Sequence, residues 1–387
     1  MKVLMIAPTP FFADRGAHTQ IYEEIVALEK LGHNVLLCTY GLGRDVSGVQ
    51  IKRCWVPKYY KKLSAGPSYT KVLLLPVLAF LVLRTVQREH PQIIHAHLHE
   101  GAVIAKFCHL FYPHIPIVAD IQGSLVGECV QHGFVKRGSI PCRALGLLEK
   151  KILSWFPVIT QSATMLENFT SLLNDDKNVF NVLDGVDVDR FKPQVTNLEL
   201  LEELEMNEQT PRVFFMGLLE EYQGVDIMLQ SFQIVASHVE KVEFIIVGYP
   251  NITKYRQIAK DLGIESRCHF LGRINYFDIP RYLSLATLAV APKISLTEGD
   301  GKLYNYMAMA IPTIAFDRPV SREILGETGI YADLKSVSDL AKKIQFALEN
   351  PDEAKKMGLL ARDRVVENLT WEQVGKRIEM VYESIRD

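Results

Sequence analysis

Residues 289–317, AVAPKISLTEGDGKLYNYMAMAIPTIAFD, constrain the fold more tightly than any other stretch of the chain. The apolar run 288–291 reads as a buried strand, and a loop with Thr297, Glu298, Gly299, Asp300 and Gly301 follows. Residues 302–309 show helical spacing, with Leu303, Tyr306, Met307 and Ala310 on one side. Pro312 stops that helix, and residues 313–316 start a second strand. Strand, glycine-bearing loop, helix and strand in this order form the repeating unit of an open parallel sheet. The helix N-terminus faces the loop, so its free N–H groups and dipole suit an anion, most often a phosphate. Glu298 cannot ligand a phosphate, but a carboxylate beside an anion site accepts hydrogen bonds from sugar hydroxyls. An anion at the helix end with hydroxyls at the carboxylate fits a nucleotide-sugar.

The chain opens on the same plan. Residues 2–7 (KVLMIA) read as a buried strand, 8–17 as a loop, about 19–31 as a helix capped by Gly32-His33, and 34–40 as a second strand. This is a Rossmann-like half without the dinucleotide fingerprint, because GxGxxG is absent and only Gly16 sits at the turn. A further strand and loop are expected over 117–128 and further strands at 158–162, 212–217, 242–249 and 269–274, with helices at 227–238, 278–283, 336–350 and 351–368 and a last one from 370. The acidic, polar stretch 197–209 reads as a linker. At 387 residues the chain has room for two full cores.

A net charge of −2 excludes a generic nucleic-acid binder. The six cysteines have no CxxC or paired spacing, which points to reduced thiols in a cytosolic protein. The longest apolar run, 72–83, contains Pro76 and falls short of the roughly 20 residues a membrane span needs. Residues 46–88 carry no acidic side chain, yet include Lys52, Arg53, Lys58, Lys61, Lys62, Lys71, Arg84 and Arg88 among Trp55, Tyr59, Tyr60 and Tyr69. A basic, aromatic, then apolar stretch suits a membrane surface or an anionic lipid-linked acceptor; it also suits a solvated basic loop followed by a core helix. His95, His97 and His99 alternate, so on a strand they share a face. That pattern is open to a metal site or to a plain strand end, and no metal is assigned to it.

The 289–317 segment resembles the donor-site signature of the retaining glycosyltransferases of family four: a Glu, a Gly-rich loop, a helix with a second Glu, then A-x-G-x-P. Glu298 matches the first Glu. Counting back from Pro312, the second Glu falls on Asn305 and the motif Gly on Ala310, and the loop is one residue shorter. Residues 181–193 (NVLDGVDVDRFKP) resemble the family's N-G-V-D-x-x-x-F-x-P stretch, with Asp184 for the usual Asn. Asp187-Val188-Asp189 imitates a metal-binding DxD, but its surroundings fit a turn better. Arg15-Gly16-Ala17 matches in part the family's two-glycine loop near donor phosphates and acceptor. Where relatives carry G-R-L…K-G, this chain has Gly217 followed by Leu218 and then Gln223, so the two cations that clamp the diphosphate are missing. Lys302 and Lys293 are the candidate replacements.

The resemblance implies the GT-B architecture: α/β, two Rossmann-like domains with parallel sheets facing across a cleft. Residues 1–193 would form the acceptor side, with helix 371–387 packing back on it, and 194–370 the nucleotide-sugar side. Glu298, Asp120, Gln122 and His99 would serve the reaction. Gln122 stands where many relatives have a His; it can hydrogen-bond a hydroxyl but cannot act as a general base. Asp120 would orient the acceptor or cap its loop. Gly16, Gly217, Gln223, Arg273, Lys293, Gly299, Asp300, Gly301, Lys302, Leu303 and Asn305 would bind the donor. The implied donor is UDP- or GDP-linked, with no further cofactor and no metal. The implied acceptor is lipid-linked or a glycan, with the inner membrane leaflet as a partner through 52–88, no nucleic acid, and a cytoplasmic location. Two other readings stay open. One is a regulatory or binding subunit of the same fold. The other is a nucleotide-sugar epimerase using His97, His99 and Asp120 as acid and base.

Overall fold

A computed structural model describes residues 1–387 apart from 15, 59–68, 132, 176, 177, 297 and 387, and apart from the side chains of 69–72 and 131. Arg15, Tyr59, Tyr60, Lys61, Lys62 and Thr297, all singled out above, lie outside the described residues. The chain divides into two compact units: Met1–Asp184 with Thr297–Gly299 and Trp371–Asp387, and Gly185–Leu296 with Asp300–Thr370.

In the first unit the strands are β1 (Lys2–Ala7), β2 (Asn34–Tyr40), β3 (Gln50–Cys54), β4 (Ile93–His97), β5 (Ile117–Asp120), β6 (Val158–Thr160) and β7 (Val179–Asn181). All pair in parallel, in the order β3-β2-β1-β4-β5-β6-β7. β1 is central, with Val3 level with both Val35 and Ile93, and its side chains are buried from Val3 on. That is why it reads as a continuous apolar run: helices cover both faces of a parallel sheet. The helices are α1 (Gly16–Lys30), α2 (Tyr69–Glu89), α3 (Leu98–His109), α4 (Leu125–Gln131), α5 (Ile140–Leu153) and α6 (Ala163–Leu173). In α2, Leu74, Leu78, Val82 and Val86 recur every four residues and bury against Leu36, Cys38 and Ile94 of the sheet. The apolar run is therefore a core-packing helix on that stripe, despite its internal Pro76.

In the second unit α7 (Leu198–Glu203) precedes β8 (Arg212–Met216), α8 (Val225–His238), β9 (Glu243–Val247), α9 (Ile252–Asp261), β10 (Cys268–Gly272), α10 (Ile279–Leu283), β11 (Leu288–Ala291), α11 (Gly301–Ala308), β12 (Thr313–Phe316), α12 (Pro319–Leu325), β13 (Ile330–Ala332), α13 (Val337–Glu349) and α14 (Pro351–Asn368). The parallel sheet runs β10-β9-β8-β11-β12-β13. Phe232 of α8 stacks on Phe244 of β9 at 4.0 Å between ring centres, in the middle of the core. α15 (Trp371–Ser384) belongs to the first unit, where a Cβ on Gly375 would lie 3.1 Å from Ala27 Cβ of α1.

Three local expectations change. The supposed linker 197–209 contains α7, because Asn197 Oδ1 accepts the Leu200 N–H and Leu200 and Leu201 are buried. The basic stretch after residue 46 contains edge strand β3, whose charges are paired: Lys52 with Glu89 at 2.6 Å and Arg53 with Asp45 at 2.8 Å. His99 is not on the strand. β4 ends at His97, Leu98 turns the chain with φ +64°, and His99 lies in the first turn of α3. The Asp187 turn reading stands, since its Oδ1 accepts the N–H groups of Asp189 and Arg190.

Candidate functional site

In the second unit β8, β11 and β12 are neighbours, and their C-terminal ends carry the residues of interest. Ligands of open α/β sheets bind outside these strand ends, near the point where the strand order reverses, here β8/β11. Lys302, in the first turn of α11, donates from Nζ to Asp300 Oδ1 at 2.7 Å and to Gln223 Oε1 at 2.8 Å. Arg318, two residues past β12, donates from Nη2 to Asp300 Oδ2 at 3.3 Å, from Nε to Ser321 Oγ at 3.2 Å, and from Nη1 to the Ser295 carbonyl. Lys293, two residues past β11, acts electrostatically on both Asp300 and Lys302. All four charged side chains are buried, and the Arg318 residue is 0% exposed.

Three cations, Lys302, Arg318 and Lys293, act on the Asp300 carboxylate. Burial alone would raise the Asp300 carboxyl, but Lys302, Arg318 and Lys293 outweigh it and hold it below the ordinary carboxylate value. Asp300 also precedes α11 without a capping bond from its side chain, so the first N–H groups of α11 have no cap from it. Tyr306 braces the helix against the sheet by accepting the Met216 N–H at 2.9 Å.

Of the residues expected to bind a donor, the structure brings together Gly217, Gln223, Lys293, Asp300, Gly301 and Lys302. Gly217 has φ +156°, and a Cβ there would stand 3.2 Å from Lys302 Cε, so glycine leaves room for the lysine stem. Leu303 is fully buried and Asn305 half-buried on α11. Arg273 follows β10 at the far edge of the sheet, its guanidinium 5.4 Å from the Tyr249 ring centre. Glu298 and Gly299 group with the first unit, not with the second as the sequence reading had it. A Cβ on Gly123 would lie 3.7 Å from Glu298 Cγ, and one on Gly299 would lie 3.7 Å from Gln161 Oε1 and 3.8 Å from Asp184 Oδ2. Arg318 was not anticipated. An Arg-Pro pair just past a strand was the only signal for it.

In the first unit His99 Nε2 lies 3.5 Å from Glu149 Oε1, and that carboxylate accepts the Leu125 N–H at 2.6 Å and the Ser124 hydroxyl at 3.1 Å. Gln122 Nε2 is enclosed without a hydrogen-bond partner among the described residues. Gly16 opens α1 with open space where a Cβ would be. Asp120, last residue of β5, joins His95, His97 and Glu24 in a fully buried cluster. Burial, and then Asp120, push Glu24 well above the ordinary carboxylate value. Burial, and then His97, lower His95 to about 4. Burial acts to raise Asp120, but the contacts with His95 and His97 hold it below its usual value. Glu24 was also missed, since one Glu in an E-E pair on an amphipathic helix looks solvent-facing.

Two family models match, one in each half. "Glycosyl transferase 4-like domain" covers residues 15–179 and "Glycosyl transferases group 1" covers 196–364. With both halves matched in the expected order, the chain belongs to the GT-B glycosyltransferases of family-4 type. Among similar proteins is a GDP-mannose-dependent alpha-(1-6)-phosphatidylinositol monomannoside mannosyltransferase of Mycobacterium tuberculosis, 26% identical over 50% of this chain and 53% of its own length. The match thus spans about half of that relative. An N-acetyl-alpha-D-glucosaminyl L-malate synthase of Bacillus anthracis is 24% identical over 92% of this chain and 90% of its own. In fold the chain resembles sucrose-phosphate synthase of Thermosynechococcus elongatus, with a TM-score of 0.81, 17% identity, and coverage of 99% and 98% of the two chains.

Proposed function

We propose that this protein moves a sugar, with retention at the anomeric carbon, from a UDP- or GDP-linked donor to a lipid-linked or glycan acceptor of cell-envelope polysaccharide or glycolipid synthesis. The observation that carries the reading is the buried cluster of Lys293, Lys302 and Arg318 about Asp300 at the ends of β8, β11 and β12. A diphosphate is the multiply charged group this cluster suits, and the N–H groups at the start of α11 add donors. Lys302 and Arg318 then stand in for the cations absent at Leu218 and Gln223. Glu298 holds sugar hydroxyls, Asn305 a ribose hydroxyl, and Arg273 the base or phosphate. Gln122 and His99 serve the acceptor side, with Gly16 beside it, while Asp120, 1% exposed at the end of β5, supports that loop without touching the acceptor. The leaving phosphate takes the acceptor proton on the donor's front face, so the protein's part is to position reactants and to stabilise charge, with no metal in that step.

A lipid acceptor is supported by the name of the mycobacterial relative and by surface chemistry. Phe80 of α2 and Phe107, Leu110 and Phe111 at the end of α3 are exposed large apolar side chains, with the exposed cations Arg84 and Arg88 on α2. Among the described residues no helix is long and apolar enough to cross a membrane, so contact would be peripheral. Flotation with anionic vesicles tests this: Phe80→Ser with Phe111→Ser should lose most of the bound fraction, and undiminished flotation ends the membrane reading.

The subunit reading is favoured by Leu218, Gln223 and Asn305, and by Lys302 being already engaged by Asp300. Thermal shift with nucleoside diphosphates separates the two. A ligand at roughly 100 times its dissociation constant adds about 2.7 kcal/mol. No shift with any nucleoside diphosphate favours the subunit.

A further inference from the structure

The first unit holds a second buried cluster, of two carboxylates and two imidazoles. Glu24 sits mid-way along α1, His95 and His97 on β4, and Asp120 at the end of β5. None is more than 3% exposed. Three of the four are held by an outer contact, and His97 has none among the described residues. Tyr382 of α15 meets His95 Nδ1 at 2.7 Å, which leaves Nε2. Gln20 Nε2 donates to Glu24 Oε1 at 2.8 Å, which leaves Oε2. Gln161 Nε2 donates to Asp120 Oδ1 at 3.5 Å, and Asp120 Oδ2 faces the two imidazoles.

The bare atoms converge. His95 Nε2 is 3.7 Å from Asp120 Oδ2, His97 Nδ1 is 3.3 Å from the same oxygen, and His97 Nε2 is 3.8 Å from Glu24 Oε2. One ligand atom from each of the four lies within 4.8 Å of all the others. Yet Glu24 Oε2, His95 Nε2 and both nitrogens of His97 have no hydrogen-bond partner among the described residues. Buried polar atoms rarely stay unpaired, and several around one point are costly unless something binds them. Donors around a tetrahedral ion with ligand distances of about 2.0–2.2 Å stand about 3.3–3.6 Å apart, and the 3.3 Å between His97 Nδ1 and Asp120 Oδ2 falls in that range.

We propose that Glu24, His95, His97 and Asp120 bind one zinc ion in a closed structural site that ties α1 to β4 and β5. Two imidazoles and two carboxylates are a zinc-type donor set, and two carboxylates balance the ion's charge. The Tyr382, Gln20 and Gln161 contacts orient the ligands in the way partners of metal-bound His and carboxylate usually do. Burial of all four side chains leaves no open position for substrate, so the ion's role is in folding and not in sugar transfer.

The test is metal content and its effect on stability, with no activity in the readout. The full chain is expressed with zinc supplied, passed through gel filtration, and analysed by elemental mass spectrometry. About one zinc per chain is expected. Stripping with a chelator should lower Tm, and zinc chloride, but not magnesium chloride, should restore it. Glu24→Gln and Asp120→Asn keep the side-chain shape and should each abolish stoichiometric zinc in a protein that remains folded by circular dichroism. His33→Gln, at the separate His33–Glu379 pair, should keep it. Should the cluster variants fail to fold, the wild-type zinc content and the chelator-dependent Tm still decide. The proposal is overturned if wild-type protein carries no zinc and its Tm ignores added zinc chloride. It is equally overturned if zinc is bound but unaffected by Glu24→Gln and Asp120→Asn; the cluster would then be a proton-sharing network.

Discussion

The two units place charged clusters at the same kind of position, the C-terminal ends of parallel strands, built from different groups. In the second unit Lys293, Lys302 and Arg318 act on the carboxylate of Asp300. In the first unit two carboxylates, Glu24 and Asp120, meet two imidazoles of which His95 Nε2 and both His97 nitrogens lack a hydrogen-bond partner among the described residues. The fold supplies the location, and the sequence decides whether that location attracts an anion or a cation. The difference also separates duties: the first cluster is fully enclosed by α1, β4 and β5, whereas the second lies beside the first N–H groups of α11.

The strongest way to break this comparison is to remove the Asp300 carboxylate. Asp300→Ala removes the carboxylate that Lys302 and Arg318 contact and should lower the unfolding free energy by about 3–5 kcal/mol, read by urea denaturation. Added nucleoside diphosphate should restore part of that loss, because phosphate can take the carboxylate's place. A loss below about 1 kcal/mol would show that the cations do not depend on Asp300. The pH dependence has a definite sign. Asp300 is held below its unfolded value of about 3.9, so its stabilisation is present above that pH and fades as pH falls through the lower folded value. Asp300→Asn should flatten that part of the acid limb, and an unchanged limb would count against the ion cluster.

Smaller effects sharpen the picture. Lys302→Ala should weaken nucleoside diphosphate binding by about 1.5–3 kcal/mol by calorimetry, the range for hydrogen bonds to charged groups. Tyr306→Phe leaves the buried Met216 N–H without its 2.9 Å acceptor and should cost about 1–2 kcal/mol of stability. Ala310 has φ +56°, where the family signature has glycine, so Ala310→Gly should stabilise by about 0.5–1 kcal/mol, read as a higher urea midpoint.

Particular residues show why some of this was legible in the sequence and some was not. β1 and β2 match their expected bounds because strands of a buried parallel sheet are unbroken apolar runs, and α11 ends where Pro312 requires. The Lys302–Asp300 pair was within reach because both residues sit in one motif. Arg318 joins them only after the chain has passed through β12, and sequence spacing carries no trace of that return. His95 and His97 were correctly placed on one strand face. Their carboxylate partners come from α1 and β5, which only the tertiary fold brings together. β3 escaped notice because its charges are paired across the edge of the sheet and do not alternate with apolar residues.

The most direct test of the central claim, that the cation cluster of the second unit holds a diphosphate, is isothermal titration calorimetry of UDP and GDP against the wild-type chain and Arg318→Gln. At least one of the two nucleotides should bind, the bare nucleosides should not, and Arg318→Gln should weaken binding by about tenfold or more. Binding that is equal for nucleoside and nucleoside diphosphate, or that Arg318→Gln leaves unchanged, would contradict it.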